Sequence, residues 1–254
     1  MGRMLVAEVL RTPGVALSGA VEHAGSALVG QDAGVLAGQP PAAVPVTDDP
    51  VDLFAGSDAV LDFTTPAATV EFSRLAAQGR TVHVVGTTGL THDDEAALIM
   101  AARHTRIVYA ANMSLGVTVL AAVVERVAAA LDETFDIEIF EMHHRHKVDA
   151  PSGTALLLGQ AAARGRDVAL ASVAERNRDG QTGPRAPGAI GFSVARGGDV
   201  VGEHTVMFAG PSERIALTHK ASDRAVFARG AIHAARWAFP HDPGLFSMHD
   251  VLGL

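Results

Sequence analysis

The chain has 254 residues, a net charge of −8 and no cysteine. That length allows one large domain or two modest ones with real cores, and zero Cys excludes disulfides, a thiolate nucleophile and any sulfur-ligated zinc site. The acidic balance argues against nonspecific nucleic-acid binding, and no apolar run reaches the roughly 20 residues of a membrane span. The opening MGRMLVAEVLRTPG lacks the charged start, apolar run and small-residue cleavage site of a signal peptide. A soluble cytoplasmic protein without membrane or nucleic-acid partners is expected.

GRMLVAEVLR (2–11) reads as a helix and ALSGAVE (16–22) as a strand. AVLDFT (59–64) is strand-like, and ATVEFSRLAAQG (68–79) is an amphipathic helix closed by Gly79. TVHVVGT (81–87) is a strand. THDDEAALIMAARH (91–104) is a helix whose Thr91 and acidic first turn fit an N-cap, and RIVYAANM (106–113) is another strand. Such strand–helix alternation predicts a parallel sheet with right-handed crossovers.

After Asn112 the pattern changes. An Ala/Val-rich helix (116–131) leads to a strand (136–142), a histidine run and a helix (154–164). Strand-like segments follow at 188–197, 203–210 and 213–221, as in an open mixed sheet. The polar, Gly/Pro-rich stretch 171–187 reads as a long loop, and 224–240 as a helix ended near Pro240.

The histidine run carries the chemistry. In HHRHKVDAPSGTALLLG (143–159), three histidines and a lysine lie within five residues, then Pro and Ser-Gly-Thr open an apolar helix. Proton donors and cations thus stand beside a helix N-terminus, whose outward N–H groups and dipole favour negative charge. Such a site suits a small anionic substrate, a carboxylate, that must also be protonated.

At this run the chain closely resembles the 4-hydroxy-tetrahydrodipicolinate reductase (dihydrodipicolinate reductase) family. The carriers are GRM at 2–4, Glu22, DFT at 62–64, GTTG at 86–89, AANMSLGV at 110–117, Glu141 with HHRHK at 143–147 and DAPSGTA at 149–155, GAIGF at 188–192, VGEHTVMF at 201–208 and GLFSMHDVL at 244–252. The resemblance implies an α/β fold. A Rossmann-type dinucleotide-binding domain would span 1–113, an α+β substrate-binding and tetramerisation domain with a mixed sheet 114–223, and a segment returning to the first domain 224–254. It implies NADH- or NADPH-dependent reduction of 4-hydroxy-tetrahydrodipicolinate, via dihydrodipicolinate, to tetrahydrodipicolinate in diaminopimelate and lysine synthesis. The enzyme would be a homotetramer with a small dicarboxylate substrate.

Relatives open with a strand and a G-x-x-G-R-M-G turn; here only Gly2, Arg3 and Met4 of that turn stand, with Leu5 in place of the last Gly. Losing that strand would remove the sheet's central element. We expect a misassigned start; the alternative is an N-terminally impaired, non-catalytic relative that binds substrate only.

By the same resemblance His143 is the general acid/base, and an imidazole with an unperturbed pKa near ~6.5 suits proton transfer at cellular pH. Lys147 is the second catalytic group, pairing with a carboxylate and assisting loss of the 4-hydroxyl. His144, Gly153 and Thr154 would hold substrate carboxylates. Arg145 and His146 have no assigned role. The cofactor would be met by Gly2, Arg3, Met4, Glu22, His23, Gly86, Thr87, Thr88, Ala110, Ala111, Asn112 and Met113. Glu22 would accept from ribose hydroxyls. Imidazole is a poorer phosphate clamp than the guanidinium often found beside that acid, so His23 implies NADH used at least as well as NADPH. A metal-dependent hydrolase built on HHRH is the rival reading. Adjacent histidines on an extended segment face opposite ways and no HExxH exists, so no metal is expected.

Overall fold

The computed structural model describes residues 1–176 and 178–254. They form two compact units, Met1–Leu115 with Ala225–Leu254, and Gly116–Arg224. The first begins α1 (Gly2–Arg11), β1 (Ala20–Val21), α2 (Ala33–Leu36), β2 (Val46–Thr47), α3 (Pro50–Ala55), β3 (Ala59–Asp62), α4 (Pro66–Gly79), β4 (Val82–Val85), α5 (His92–Ala101) and β5 (Arg106–Tyr109). Next come α6 (Leu115–Ala130), β6 (Asp136–His143), α7 (Gly153–Gly165), α8 (Leu170–Val173), β7 (Ala174–Glu175), β8 (Ile190–Arg196), β9 (Gly202–Gly210) and β10 (Glu213–Ala221). The chain closes with α9 (Ala225–Ala238), β11 (Gly244–Phe246) and α10 (Met248–Leu252).

In the first unit β11, β5, β4 and β3 form a parallel sheet in that order. Every residue of β4 is buried, as expected for a strand covered on both faces. Helix α9 turns Ala228, Ala231, Ala234 and Ala238 onto Val82, Val84 and Val108. Its Gly230 lies so close to the Met113 carbonyl that a Cβ there would sit 1.6 Å from the oxygen. The parallel pair β1–β2 is a separate sheet. A cavity of about 240 Å³ is lined by both β1 and β3, together with Leu5, Val6 and Val9 of α1.

The expected strand at 16–22 therefore shrinks to Ala20–Val21, because its ladder runs only to the equally short β2. Helix α4 starts earlier than its apolar period indicates: Thr65 caps the Ala68 N–H and Pro66 takes the first turn. Its left-handed terminal residue is Arg80, not Gly79. Gly79 is small for another reason, since a Cβ would lie 2.9 Å from the Thr81 hydroxyl and 3.4 Å from the Phe54 carbonyl. Thr91 does cap α5, in a reciprocal box with Asp94.

The second unit is a five-stranded mixed sheet ordered β10-β9-β6-β8-β7. The β10/β9 and β9/β6 pairs are antiparallel, and β6/β8 and β8/β7 are parallel. The stretch read as one loop, 171–187, contains part of α8 and all of β7; two ladder residues are too few to show a period. Along β6 the even spacing puts Ile137, Ile139, Glu141 and His143 on one buried face, with Phe140 on the other. The buried face packs with α6 and α7 around Val124, Ala128, Leu158, Ala161, Ala162, Phe192 and Phe208. The helices meet closely at Gly165, where a Cβ would stand 2.3 Å from the Glu125 carbonyl.

Candidate active site

β6 delivers its last two inward positions, Glu141 and His143, to a polar end of an otherwise apolar face. His143 Nδ1 lies 2.5 Å from Glu141 Oε2. An ionised carboxylate can only accept, so Nδ1 carries the proton and Nε2 is the exchangeable position. Nε2 has no protein partner among the described residues. It faces Gly202 of β9, where a Cβ would sit 3.0 Å away.

Three groups fix Glu141. Arg196, at the end of β8, grips both its oxygens at 2.9 and 3.0 Å, and the Ser152 N–H donates at 3.0 Å. Burial pushes the carboxyl upward, but Arg196, His143 and that N–H hold it below the usual carboxylate range. For His143, burial lowers the pKa against the pull of Glu141, and the charges of Lys147 and Arg196 lower it further. His204, opposite Glu141 on β9, packs its ring edge-on to His143 with centroids 5.0 Å apart. Its Nε2 is 3.1 Å from the Ser152 hydroxyl, and burial, then the His143 charge, push its pKa down to about 4.

Ser152 also caps α7 by accepting from the Ala155 N–H, which places Gly153 and Thr154 in the first turn. Lys147 is turned back by an N–H bond to the His144 carbonyl, and its ammonium pairs with Asp149 at 2.7 Å. His144, Arg145 and His146 line an open cavity of about 620 Å³ together with Asp199 and Arg224. The structure thus gathers His143, Lys147, His144, Gly153 and Thr154 around one loop, and gives Arg145 and His146 a place beside His144.

The residues expected to meet a cofactor lie in the first unit. Gly2, Arg3 and Glu22 line the 240 Å³ cavity with Asp62 and Thr64. Met4 lies within α1. Glu22 follows β1 and accepts from the His23 N–H at 2.9 Å and from its ring at 2.8 Å, which lower its pKa in that order. Gly86, Thr87 and Thr88 follow β4. The Thr87 hydroxyl is committed inward, accepting from the Thr64 N–H and the Thr69 hydroxyl beside buried Asp62. Gly86 must be glycine, since a Cβ would lie 2.3 Å from the Phe63 ring. Ala110, Ala111 and Asn112 follow β5. Met113 is 1 % exposed in the core, so only its backbone can face a ligand.

Comparison with known proteins matches this arrangement end to end. The family model described as dihydrodipicolinate reductase, N-terminus, covers residues 1–113, and that described as dihydrodipicolinate reductase, C-terminus, covers 116–252. The chain belongs to the dihydrodipicolinate reductase family. Similar members include 4-hydroxy-tetrahydrodipicolinate reductase 1 of Mesorhizobium japonicum, 59 % identical over the whole of this chain and 93 % of the relative. The Brucella abortus 4-hydroxy-tetrahydrodipicolinate reductase is 58 % identical over the whole of this chain and 95 % of its own. A solved dipicolinate-bound dihydrodipicolinate reductase from Paenisporosarcina sp. TG-14 shares the fold, with a TM-score of 0.76 at 23 % identity, covering 97 % of this chain and 92 % of that one.

In this family member Glu141, His143 and His204 also bring potential metal-ligand atoms within 4.8 Å of one another. A cation there would compete with the donors already on each Glu141 oxygen, His143 and Arg196 on Oε2 and Arg196 and the Ser152 N–H on Oε1, so we read the trio as a hydrogen-bonded network. Sequence reasoning gave Glu141, Ser152, Arg196 and His204 no role. Only Glu141 had a legible signal, standing two residues before His143 on a strand and therefore on its face.

Proposed function

We propose that this reductase-family chain converts 4-hydroxy-tetrahydrodipicolinate, through dihydrodipicolinate, to tetrahydrodipicolinate at the expense of NADH or NADPH. The observation that carries the reading is His143, its Nδ1 locked by Glu141 and its Nε2 without a protein partner among the described residues, beside the N-terminus of α7.

Substrate carboxylates are held by the first-turn N–H groups of Gly153 and Thr154, by His144 and by Lys147. Lys147 also assists departure of the 4-hydroxyl as water, which leaves the ring unsaturated. The nicotinamide, when bound, supplies the hydride to C4 of that ring. His143 delivers the proton that quenches the electron density left behind, so one hydride and one proton are consumed. Burial and neighbouring cations keep the His143 proton readily released.

The dinucleotide fits the first unit. The strand ends there carry Glu22, Gly86 to Thr88 and Ala110 to Met113, and Gly2 opens α1 with clear space around its Cα. Glu22 takes the adenosine ribose hydroxyls, and Arg3 stands by for a phosphate. The first unit is thus the cofactor domain and the second the substrate domain. We further propose a cytoplasmic homotetramer. Phe140, 42 % exposed on the open face of the second unit's sheet, supports pairing of these sheets between subunits. Sedimentation should give four chains; a stable monomer at micromolar concentration would contradict the assembly.

The activity test is loss of NADH or NADPH absorbance with the freshly made aldol product of pyruvate and aspartate semialdehyde. Turnover dependent on that product is expected. Its absence, in folded protein with either cofactor, overturns the reading in favour of a substrate-binding relative.

A further inference from the structure

Glu141 is 4 % exposed, charged, and has no step in the chemistry above. A buried carboxylate is costly unless it is paired, and removing one partner of such a pair is more costly still. Its pairing is unusually complete. Arg196 reaches it from β8, Ser152 from the start of α7, and His143 from its own strand. Arg196 is itself pinned by donating to the Asp149 and Ala195 carbonyls, both at 2.7 Å.

We propose that Glu141, held by Arg196 and the Ser152 N–H, is the positioning residue that fixes the tautomer and proton affinity of His143. The inference rests on the proposed function in assigning His143 the proton transfer.

The geometry leaves His143 one arrangement. With Nδ1–H directed at Glu141 Oε2, a ring flip would turn a C–H towards the buried carboxylate and take away one of the two donors on that oxygen, leaving it Arg196. Nε2 is then always the nitrogen that gains and loses the catalytic proton. Arg196 prevents Glu141 from taking that proton itself, because the guanidinium favours the ionised carboxylate.

The charged and titratable groups facing His143 are few. Glu141 on β6 favours the imidazolium, whereas Arg196 on β8 and Lys147 in the following loop oppose it. Lys147 is partly offset by Asp149. On β9, His204 lies against the ring and couples electrostatically to His143 and to His219 of β10. Replacing Glu141 by Gln keeps an oxygen acceptor at the same place and removes the favourable charge in direct contact with the ring. Burial, Arg196 and Lys147 then act unopposed, so His143 loses its proton at lower pH.

Two measurements decide the matter. The first is nitrogen NMR of the His143 imidazole in the full-length protein across pH. Wild type should show neutral His143 with the proton on Nδ1. A neutral form protonated on Nε2 would overturn the proposal whatever the activity. The second is the pH profile of kcat for E141Q, E141D and E141Q/R196M, with circular dichroism and melting as controls for folding.

E141Q should lower kcat by about 10–100-fold at about pH 8 while KM changes by less than about threefold. Its basic limb should move down by about one pH unit or more, in step with the His143 titration seen by NMR. E141D, shorter but charged, should recover part of the shift, and E141Q/R196M should recover part by removing the orphaned cation. A merely structural Glu141 would lower the melting temperature and leave the limb and the His143 titration where they are; that result overturns the proposal. H143Q separates the two claims. If it retains wild-type kcat, His143 is not the proton donor and the proposed chemistry fails, while the NMR titration still decides whether Glu141 controls the ring.

Discussion

The substitution Gly202→Ala tests which nitrogen of His143 reacts. The added methyl would stand 3.0 Å from Nε2 and 3.3 Å from the neighbouring ring carbon, and 3.6 Å from the His204 ring. An unstrained carbon–nitrogen contact needs about 3.5 Å, so the imidazole tip must retreat by about 0.5 Å. Nδ1 is pinned at 2.5 Å from Glu141 and cannot follow freely, so the ring pivots and Nε2 changes direction as well as position. Misplacement by ~1 Å costs about 10²-fold, so half that displacement should cost roughly tenfold in kcat, or about 1.4 kcal/mol of transition-state stabilisation. Gly202 does not have a positive φ, so alanine meets no backbone strain, and overpacking should remove only ~1–3 kcal/mol of stability. The assay is steady-state NADH oxidation at saturating substrate, with the melting temperature measured in parallel. KM should barely change, since Gly202 holds no carboxylate. A kcat within about twofold of wild type in well-folded protein would show that the nitrogen facing Gly202 is not the proton donor.

Lys147→Ala should raise KM and lower kcat together, because the ammonium now held by Asp149 is assigned both a substrate carboxylate and departure of the hydroxyl; steady-state kinetics would show either effect missing. Pyridine-2,6-dicarboxylate, a flat dicarboxylate mimic of the ring, should inhibit wild type competitively with substrate, and non-competitive inhibition would place the pocket elsewhere. Cofactor preference should favour NADH or be even, because Glu22 is held ionised by the His23 N–H and ring and would repel a 2′-phosphate. His23 is 77 % exposed at its side chain, so His23→Arg should fit and shift binding towards NADPH by ~1–2 kcal/mol, read from titrations with both cofactors. Acid should destabilise the protein through His204. Its folded pKa of about 4 lies below the ordinary 6.5, so the unfolded chain binds the extra proton first and stability falls as pH drops through that window. The loss should approach roughly 3 kcal/mol at the bottom of the window, and denaturant curves of His204→Gln should lack that component.

Local patterning made much of the chain legible. VHVV reads as a buried parallel strand because every position is apolar or tolerates burial, and THDD announces the start of α5 because a hydroxyl and a carboxylate three residues apart can cap each other. The alternation through 136–142 set the register of β6, and with it which side of the sheet holds His143. The histidine run, the Ser-Gly-Thr turn and the helix after it could be placed in order because their chemistry is contiguous in the chain. Short elements were another matter. β2, β7 and β11 have two or three ladder residues each, fewer than any period can reveal, and they exist because a neighbouring strand offers hydrogen bonds.

What the sequence determined by itself was which residues are candidates for the reacting groups and the kind of ligand they suit, since proton affinity, charge and a helix N-terminus are properties of residues and their immediate neighbours. What the tertiary structure decided was how those groups are held. Arg196 lies 55 residues from Glu141, and His204 lies 52 from Ser152; each pair meets only because sheet pairing brings β8 and β9 to either side of β6. Gly202 reads as an ordinary strand glycine until the His143 ring is seen against it. The division of the parallel strands into two sheets across a cavity was likewise decided in three dimensions, because a strand's partner is chosen by which unpaired edge lies within hydrogen-bonding reach, and no local pattern records that distance.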